Sequence, residues 1–120
     1  MAEHNDLGKI GEELARKYLI RSGYVIHKCN WYFGKKEIDI IAEKDNTMVV
    51  VEVKTRSSFF ESEARDTVTR KKQKFLINAM QFYLVQNNIE KETRFDIITI
   101  IVSNNKHEIE HLENAFYPTL

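Results

Sequence analysis

The chain has few of the residues that staple, break or anchor a fold. Among its 120 residues there is one cysteine, Cys29, which excludes a disulfide framework within them and makes a reducing cytoplasm the expected compartment. The only proline is Pro118 and all four glycines lie at or before Gly34, so no Pro/Gly/Ser linker divides the chain. No segment recurs at the period of about 20–50 residues that marks a solenoid or propeller. The longest apolar-looking stretch, Ile97 to Val102, falls far below the roughly 18 residues of a membrane span. Met1 to Asp6 are polar and do not read as a secretory signal. An excess of one charge is missing too. Eighteen basic residues balance eighteen acidic ones, which excludes an overall positive coat but leaves room for a local basic patch.

What is present is a globular mixture, 42% hydrophobic and 30% charged. The length fits one domain over residues 1–120, able to bury roughly two-thirds of its unfolded surface without a disulfide or metal staple.

Leu7, Ile10, Gly11, Leu14, Ala15, Tyr18 and Leu19 recur at helical spacing, which predicts a first helix over 7–21. Asn5 or Asp6 is the expected N-cap and Gly23 the expected C-terminal glycine. Strands are predicted over Tyr24 to Asn30, Glu37 to Glu43 and Met48 to Arg56, the last two joined at the turn signal Asp45-Asn46. A second helix is predicted from Val68 or Thr69 to Val85, with Leu76, Ala79, Phe82 and Tyr83 inward. Phe95 to Val102 reads as a buried strand, and Glu108 to Phe116 as a weaker strand or extended tail. The order α-β-β-β-α-β predicts an α/β sandwich around a mixed sheet.

The informative segment is the hairpin Glu37-Ile-Asp-Ile-Ile-Ala-Glu43, turn, Met48-Val-Val-Val-Glu-Val-Lys54. Alternation puts Val49, Val51 and Val53 on one face, and Met48, Val50, Glu52, Lys54 and Arg56 on the other. With Asp45-Asn46 as the loop, Lys44 pairs with Thr47. Asp39 then lies opposite Glu52 and Glu37 opposite Lys54, with directly opposed Cβ atoms about 4.5–5.5 Å apart. Two carboxylates facing one another among isoleucines and valines repel with little screening. A hard divalent cation held between their oxygens relieves this. A surface ladder of Glu37, Asp39, Glu52, Lys54 and Arg56 is the plainer alternative, although the flanking Ile38, Ile40, Ile41 and valines argue for a central strand pair.

Arg70, Lys71, Lys72 and Lys74 crowd the start of the second helix, after Arg65. Positive charge there opposes the helix dipole, and a bound phosphate reverses the sign of that effect. A solvated lysine-rich face is the alternative. Arg56 and Ser57-Ser58 lead towards this region, and Phe59 and Phe60 are either base-stacking rings or loop anchors. Cys29 reads as a packed small hydrophobe. His107 and His111 share a strand face without a third ligand, so no zinc site is expected.

An Asp followed, across a hairpin, by Glu-x-Lys resembles the signature of the PD-(D/E)XK nuclease superfamily, here Ile38-Asp39 and Glu52-Val53-Lys54. Gly11-Glu12-x-x-Ala15-x-x-Tyr18-Leu19, Gly23-Tyr24, Asn30-Trp31, Glu37 to Ala42, Val51 to Arg56, Lys72-Gln73 and Arg94-Phe95-Asp96 resemble the small bacterial YraN-like family of that superfamily, over Leu7 to Tyr117. That family is similar in turn to the Holliday-junction-resolvase branch. Two positions depart from its pattern: Tyr32 stands where a basic residue commonly follows Asn-Trp, and Lys36 where a glycine precedes Glu-Ile-Asp. The first removes a phosphate contact that Lys36 is able to restore.

The resemblance implies a restriction-endonuclease-like αβββαβ core and a metal-dependent endonuclease acting on DNA, branched or single-stranded. It implies that Asp39, Glu52 and the Val53 carbonyl hold Mg²⁺ or Mn²⁺. Lys54 would orient the attacking water or stabilise the transition state, and Glu12 would help hold the metal or its water. Lys36, Arg56, Arg70, Lys71, Lys72 and Lys74 are the expected nucleic-acid contacts, with DNA ahead of RNA as partner, no membrane, and a homodimer by analogy with junction-cutting relatives. The competing readings are a nucleic-acid-binding module with this fold that does not cut, and an interaction domain whose charges are incidental.

Overall fold

The computed structural model describes residues 2–57 and 68–118, with side chains from Asp6 onward. Helix α1 spans Ala2–Arg21, strands β1, β2 and β3 span Val25–Phe33, Lys36–Lys44 and Thr47–Arg56, helix α2 spans Arg70–Gln86, and strands β4 and β5 span Glu92–Ser103 and Lys106–Phe116. The sheet runs in sequence order, β1-β2-β3-β4-β5. Its pairs are antiparallel except β3 with β4, whose parallel register requires the crossover that α2 supplies. This is the predicted α/β architecture, a five-stranded mixed sheet with helices on both faces, consistent with a restriction-endonuclease-like core.

Each face of the sheet has its own core. Ala15 and Leu19 of α1 pack with Tyr24, Ile40, Ala42, Val49, Val51, Ile98 and Ile100. Leu76, Ala79, Met80 and Tyr83 of α2 pack with Ile38, Ile41, Met48, Val50, Phe95 and Ile97 on the other side. Strand β4 is covered on both faces, which is why Phe95 to Ile101 are all buried.

Local chemistry sets the element ends. At Gly23 (φ 94°) the Tyr24 N–H reaches back to Leu19 O at 2.9 Å and the Gly23 N–H to Ile20 O at 3.1 Å, closing α1 with a left-handed residue as predicted. Asp45 and Asn46 have φ of 51° and 61°, and Lys44 pairs with Thr47, as the hairpin reading required. Asn104 and Asn105 repeat this device between β4 and β5, so the expected weak tail is a full strand.

Several expectations are corrected. Helix α1 begins at Ala2, so Asn5 and Asp6 lie within it rather than capping it: no Gly or Pro stops the helix before Leu7. Ile10 is 48% exposed because α1 leans on the sheet through Gly11, Ala15 and Leu19. On α2, Met80 is buried and Phe82 is 48% exposed, a rotation of the inner stripe that turns Phe82 towards Phe33 at the hairpin edge. Ser58, Phe59, Phe60 and Arg65 lie outside the described residues.

Candidate metal and phosphodiester site

The site begins where two strands part. The β2–β3 ladder runs from Lys44↔Thr47 to Ile40↔Val51 and ends there, one step before Asp39 and Glu52. The expected ladder pairings of Asp39 with Glu52 and of Glu37 with Lys54 therefore do not form. Glu37 instead pairs with Tyr32 on β1, and Lys54 Nζ lies 3.5 Å from Glu52 Oε2.

The side-chain phase changes at the same point. Ile40 belongs to the α1 core and Ile38 to the α2 core, although residues two apart share a face in a regular strand. On β1, Asn30 adopts φ 52° between Cys29, which pairs with Ile40, and Trp31, which pairs with Ile38. Both strands switch faces at Asn30 and Asp39, so alternation does not assign Asp39. Its position is fixed by a hydrogen bond: the Val53 backbone N–H donates to Asp39 Oδ2 at 2.8 Å.

Helix α1 delivers the third carboxylate. A Cβ on Gly11 would lie 1.9 Å from Thr55 Oγ1, so α1 crosses β3 with no room for a side chain there. The neighbouring Glu12 is thereby brought over the parted strands, half-buried, while Glu13 stays exposed and pairs with Arg16. Carboxylate oxygens of Glu12, Glu37 and Asp39 lie within 4.8 Å of one another. The Asn30 amide ties two of them together, donating to Glu37 Oε1 at 2.6 Å and Glu12 Oε1 at 3.1 Å. The Tyr32 phenol also bonds Glu37, and that carboxylate holds its pKa above the ordinary value. Glu12, Asn30 and Asp39, with Lys9, Arg16 and Cys29, line an open cleft of about 360 Å³.

Charge inside the site is under-compensated. Glu52 is 6% exposed, and its Oε1 is buried without a hydrogen-bond partner. Burial, then the negative charge of Glu52 and that of Glu12, push the Asp39 pKa up to about 7, against the Val53 N–H and Lys72, which favour the anion. Lys54 and Lys72 bring ammonium groups to within 3.5 and 3.7 Å of Glu52 Oε2. The orphaned buried oxygen of Glu52 and, at its neighbour Asp39, the carboxylate cluster shared with Glu12 and Glu37 are hard oxygen donors of the kind that suit a divalent cation such as Mg²⁺.

The sequence-predicted residues are brought together only in part. Asp39, Glu52, Lys54 and Glu12 meet at the parting of the strands, with Val53 contributing its N–H to Asp39. Lys72 joins them from α2. Arg70 and Lys74 instead line a separate cleft of about 220 Å³ with Gln73, Ile77 and Asn78, Lys71 is exposed, and Lys36 stands 6.0 Å from the Phe75 ring centre. Arg56 donates to the Thr55 carbonyl at 3.2 Å. Helix α2 is capped by Thr69, whose hydroxyl accepts the Lys72 N–H, and its first turn holds no acidic residue.

Sequence reasoning missed Glu37 as a member of the acidic group, and Asn30 as its organiser. The signal for Asn30 was a turn-forming residue inside a strand, adjacent to Trp31. Cys29 is corrected from packed to exposed: it shares the α1 face with Ile40, but β1 is an edge strand that α1 leaves open. Both ring nitrogens of His111 are engaged in hydrogen bonds, with Asp96 Oδ2 at 2.7 Å and the Tyr18 hydroxyl at 2.8 Å, inside a network completed by Arg94.

Comparison with known proteins covers the whole site. Residues 11–100 match the model of a family described as Uncharacterised protein family UPF0102. The chain is 49% identical over 117 residues to a UPF0102 protein of Flavobacterium psychrophilum, covering 98% of each chain. It is 47% identical over 120 residues to one from Phocaeicola vulgatus, covering 100% of this chain and 99% of the other. A Bacteroides thetaiotaomicron UPF0102 protein is 45% identical over the same length, with the same coverage.

Proposed function

The chain belongs to the uncharacterised family UPF0102, and from the chemistry of its site we propose that it is a metal-dependent nuclease that hydrolyses phosphodiester bonds in DNA. The observation that carries this reading is the buried pair at the parted strands: Asp39, pushed towards neutrality, beside Glu52, with a buried unpartnered oxygen. A protein retains such a pair at a cost in stability, and a divalent cation is the partner whose charge and oxygen preference remove that cost.

In this reading Asp39, Glu52 and the Val53 carbonyl hold Mg²⁺ or Mn²⁺, with Glu12 positioned to hold the ion or its water. The bound ion supplies Lewis acidity and a water of lowered pKa. The Val53 N–H aims the Asp39 carboxylate. Lys54, 3.5 Å from Glu52, would in this reading meet the attacking water or a non-bridging phosphate oxygen. The acid-free, lysine-rich start of α2 favours an incoming phosphate backbone. Membership of the PD-(D/E)XK superfamily, with its junction-cutting branch, is the evolutionary form of the same proposal.

The test is a cleavage screen of the purified chain on linear, single-stranded, flapped and four-way DNA, with and without Mg²⁺ or Mn²⁺. Metal-dependent product that Glu52→Gln eliminates supports the nuclease. DNA binding without product from any substrate, unchanged in Asp39→Asn, supports the non-cutting module instead.

A further inference from the structure

Glu52 gives its two oxygens different surroundings. Oε1 is buried and unpartnered, while Oε2 has two ammonium groups near it, Lys54 Nζ at 3.5 Å and Lys72 Nζ at 3.7 Å. The lysines come from different elements. Lys54 follows Glu52 by two residues on β3, and its place is tied to the strand. Lys72 arrives from the first turn of α2, where the Thr69 hydroxyl accepts its N–H at 3.1 Å. The helix start therefore spreads its charges: Arg70 and Lys74 line a cleft of their own, Lys71 is exposed, and Lys72 alone turns in to the acidic site.

We infer that Lys72 is the resident counter-cation of Glu52, and that a divalent ion entering the site must do so against its charge. The inference rests on the reading of Asp39 and Glu52 as the metal-holding pair. An ion that takes the unpartnered Oε1 brings two positive charges close to both lysines, and one ammonium has to yield. Lys54, 26% exposed, projects from within β3, whereas Lys72, 34% exposed, projects from a helix end and is the more exposed of the two, so it is the one to yield. Lys72 thus acts as a positioning residue. It partly compensates the buried carboxylate before metal arrives, and on displacement leaves an ammonium beside the site that the proposed phosphodiester enters.

The experiment is calorimetric titration of the full chain with Mn²⁺ alone, comparing wild type with Lys72→Met, Lys72→Arg and the neighbouring control Lys71→Met, and with melting temperatures taken in parallel. Lys72→Met should bind Mn²⁺ more tightly, on the order of tenfold, since one partly screened like charge is gone. Without metal it should melt lower than wild type. Lys72→Arg should return the affinity to near the wild-type value, and Lys71→Met should leave it there. Lys72→Gln repeats the measurement with a polar stem where methionine prevents folding. Wild-type or weaker Mn²⁺ affinity in both neutral variants, with Glu52→Gln abolishing binding, overturns the counter-cation role alone. Absence of Mn²⁺ binding in every variant, wild type included, overturns the metal reading as well.

Discussion

The Val53 backbone N–H donates to Asp39 Oδ2 at 2.8 Å, across the gap where β2 and β3 cease to pair. A main-chain donor that would otherwise continue the ladder instead aims a carboxylate. The end of the ladder and the start of the site are one structural event.

Asp39 should make the metal-free protein sensitive to pH. Its pKa rises from an ordinary 3.8 to about 7, first by burial and then by the charge of Glu52. A carboxyl with a raised pKa contributes stability that is full below the unfolded value and lost as pH rises through the folded one. Urea denaturation should therefore show stability falling between about pH 4 and about pH 7, and Asp39→Asn should gain on the order of 1–3 kcal/mol above that window without metal. Equal stabilities of the two proteins at high pH would contradict this.

Gly11 should tolerate no side chain. Its missing Cβ would meet Thr55 Oγ1 at 1.9 Å and both Thr55 side-chain carbons, Cβ and Cγ2, at 2.9 Å. Gly11→Ala should cost about 1–3 kcal/mol despite the better helix propensity of alanine. Combining it with Thr55→Ala should recover part of that loss, which a double-mutant cycle reads as coupling between the sites. Additive losses would mean that the close approach of α1 to β3 is not what constrains Gly11.

The Asp96 network predicts the opposite pH behaviour from Asp39. Burial alone would raise the Asp96 pKa, but hydrogen bonds from His111, Arg94 and the Asn114 N–H outweigh it and hold it below the ordinary value. Its stabilisation is present above the unfolded pKa and lost as pH falls through the depressed folded one. Asp96→Asn should lose about 3–5 kcal/mol at neutral pH, leaving Arg94 short of its partner, and should show a flatter acid transition than wild type. A neutral-pH loss below about 1 kcal/mol, the worth of an exposed pair, would show the network to be dispensable.

Charge reversal at the exposed lysines of α2 should act through salt. Lys71→Glu with Lys74→Glu should weaken DNA binding for all sequences and reduce the log–log salt slope by about 0.7–0.9 per lost phosphate contact. An unchanged slope in the folded double variant would mark this as a solvated face.

Local and periodic signals carried most of the fold. Gly23, Asp45-Asn46 and the alternation of Met48 to Val51 yielded the first helix end, the hairpin register and the two core faces. Ile40 and Ile38 show where that logic stops: alternation assumes a regular strand, and the positive φ of Asn30 on the neighbouring strand accompanies a change of face that no count along β2 reveals. Glu52 and Lys54 were legible as a rim pair because the apolar run ends in them. Lys72 was legible as basic but not as inward-facing, since that depends on how α2 rotates over the sheet. The Asp96–His111–Tyr18 chain joins residues far apart in sequence, through side chains that each look ordinary in their own strand or helix.

The central claim is that Asp39 and Glu52 together hold a divalent cation, and Mn²⁺-soaked crystals of the full chain measure it most directly through anomalous scattering. The account predicts a single strong peak between the Asp39 and Glu52 carboxylates, on the Oε1 side of Glu52, that vanishes in Glu52→Gln. Crystals that leave the Asp39–Glu52 gap without a peak, or that keep the peak in Glu52→Gln, would contradict it.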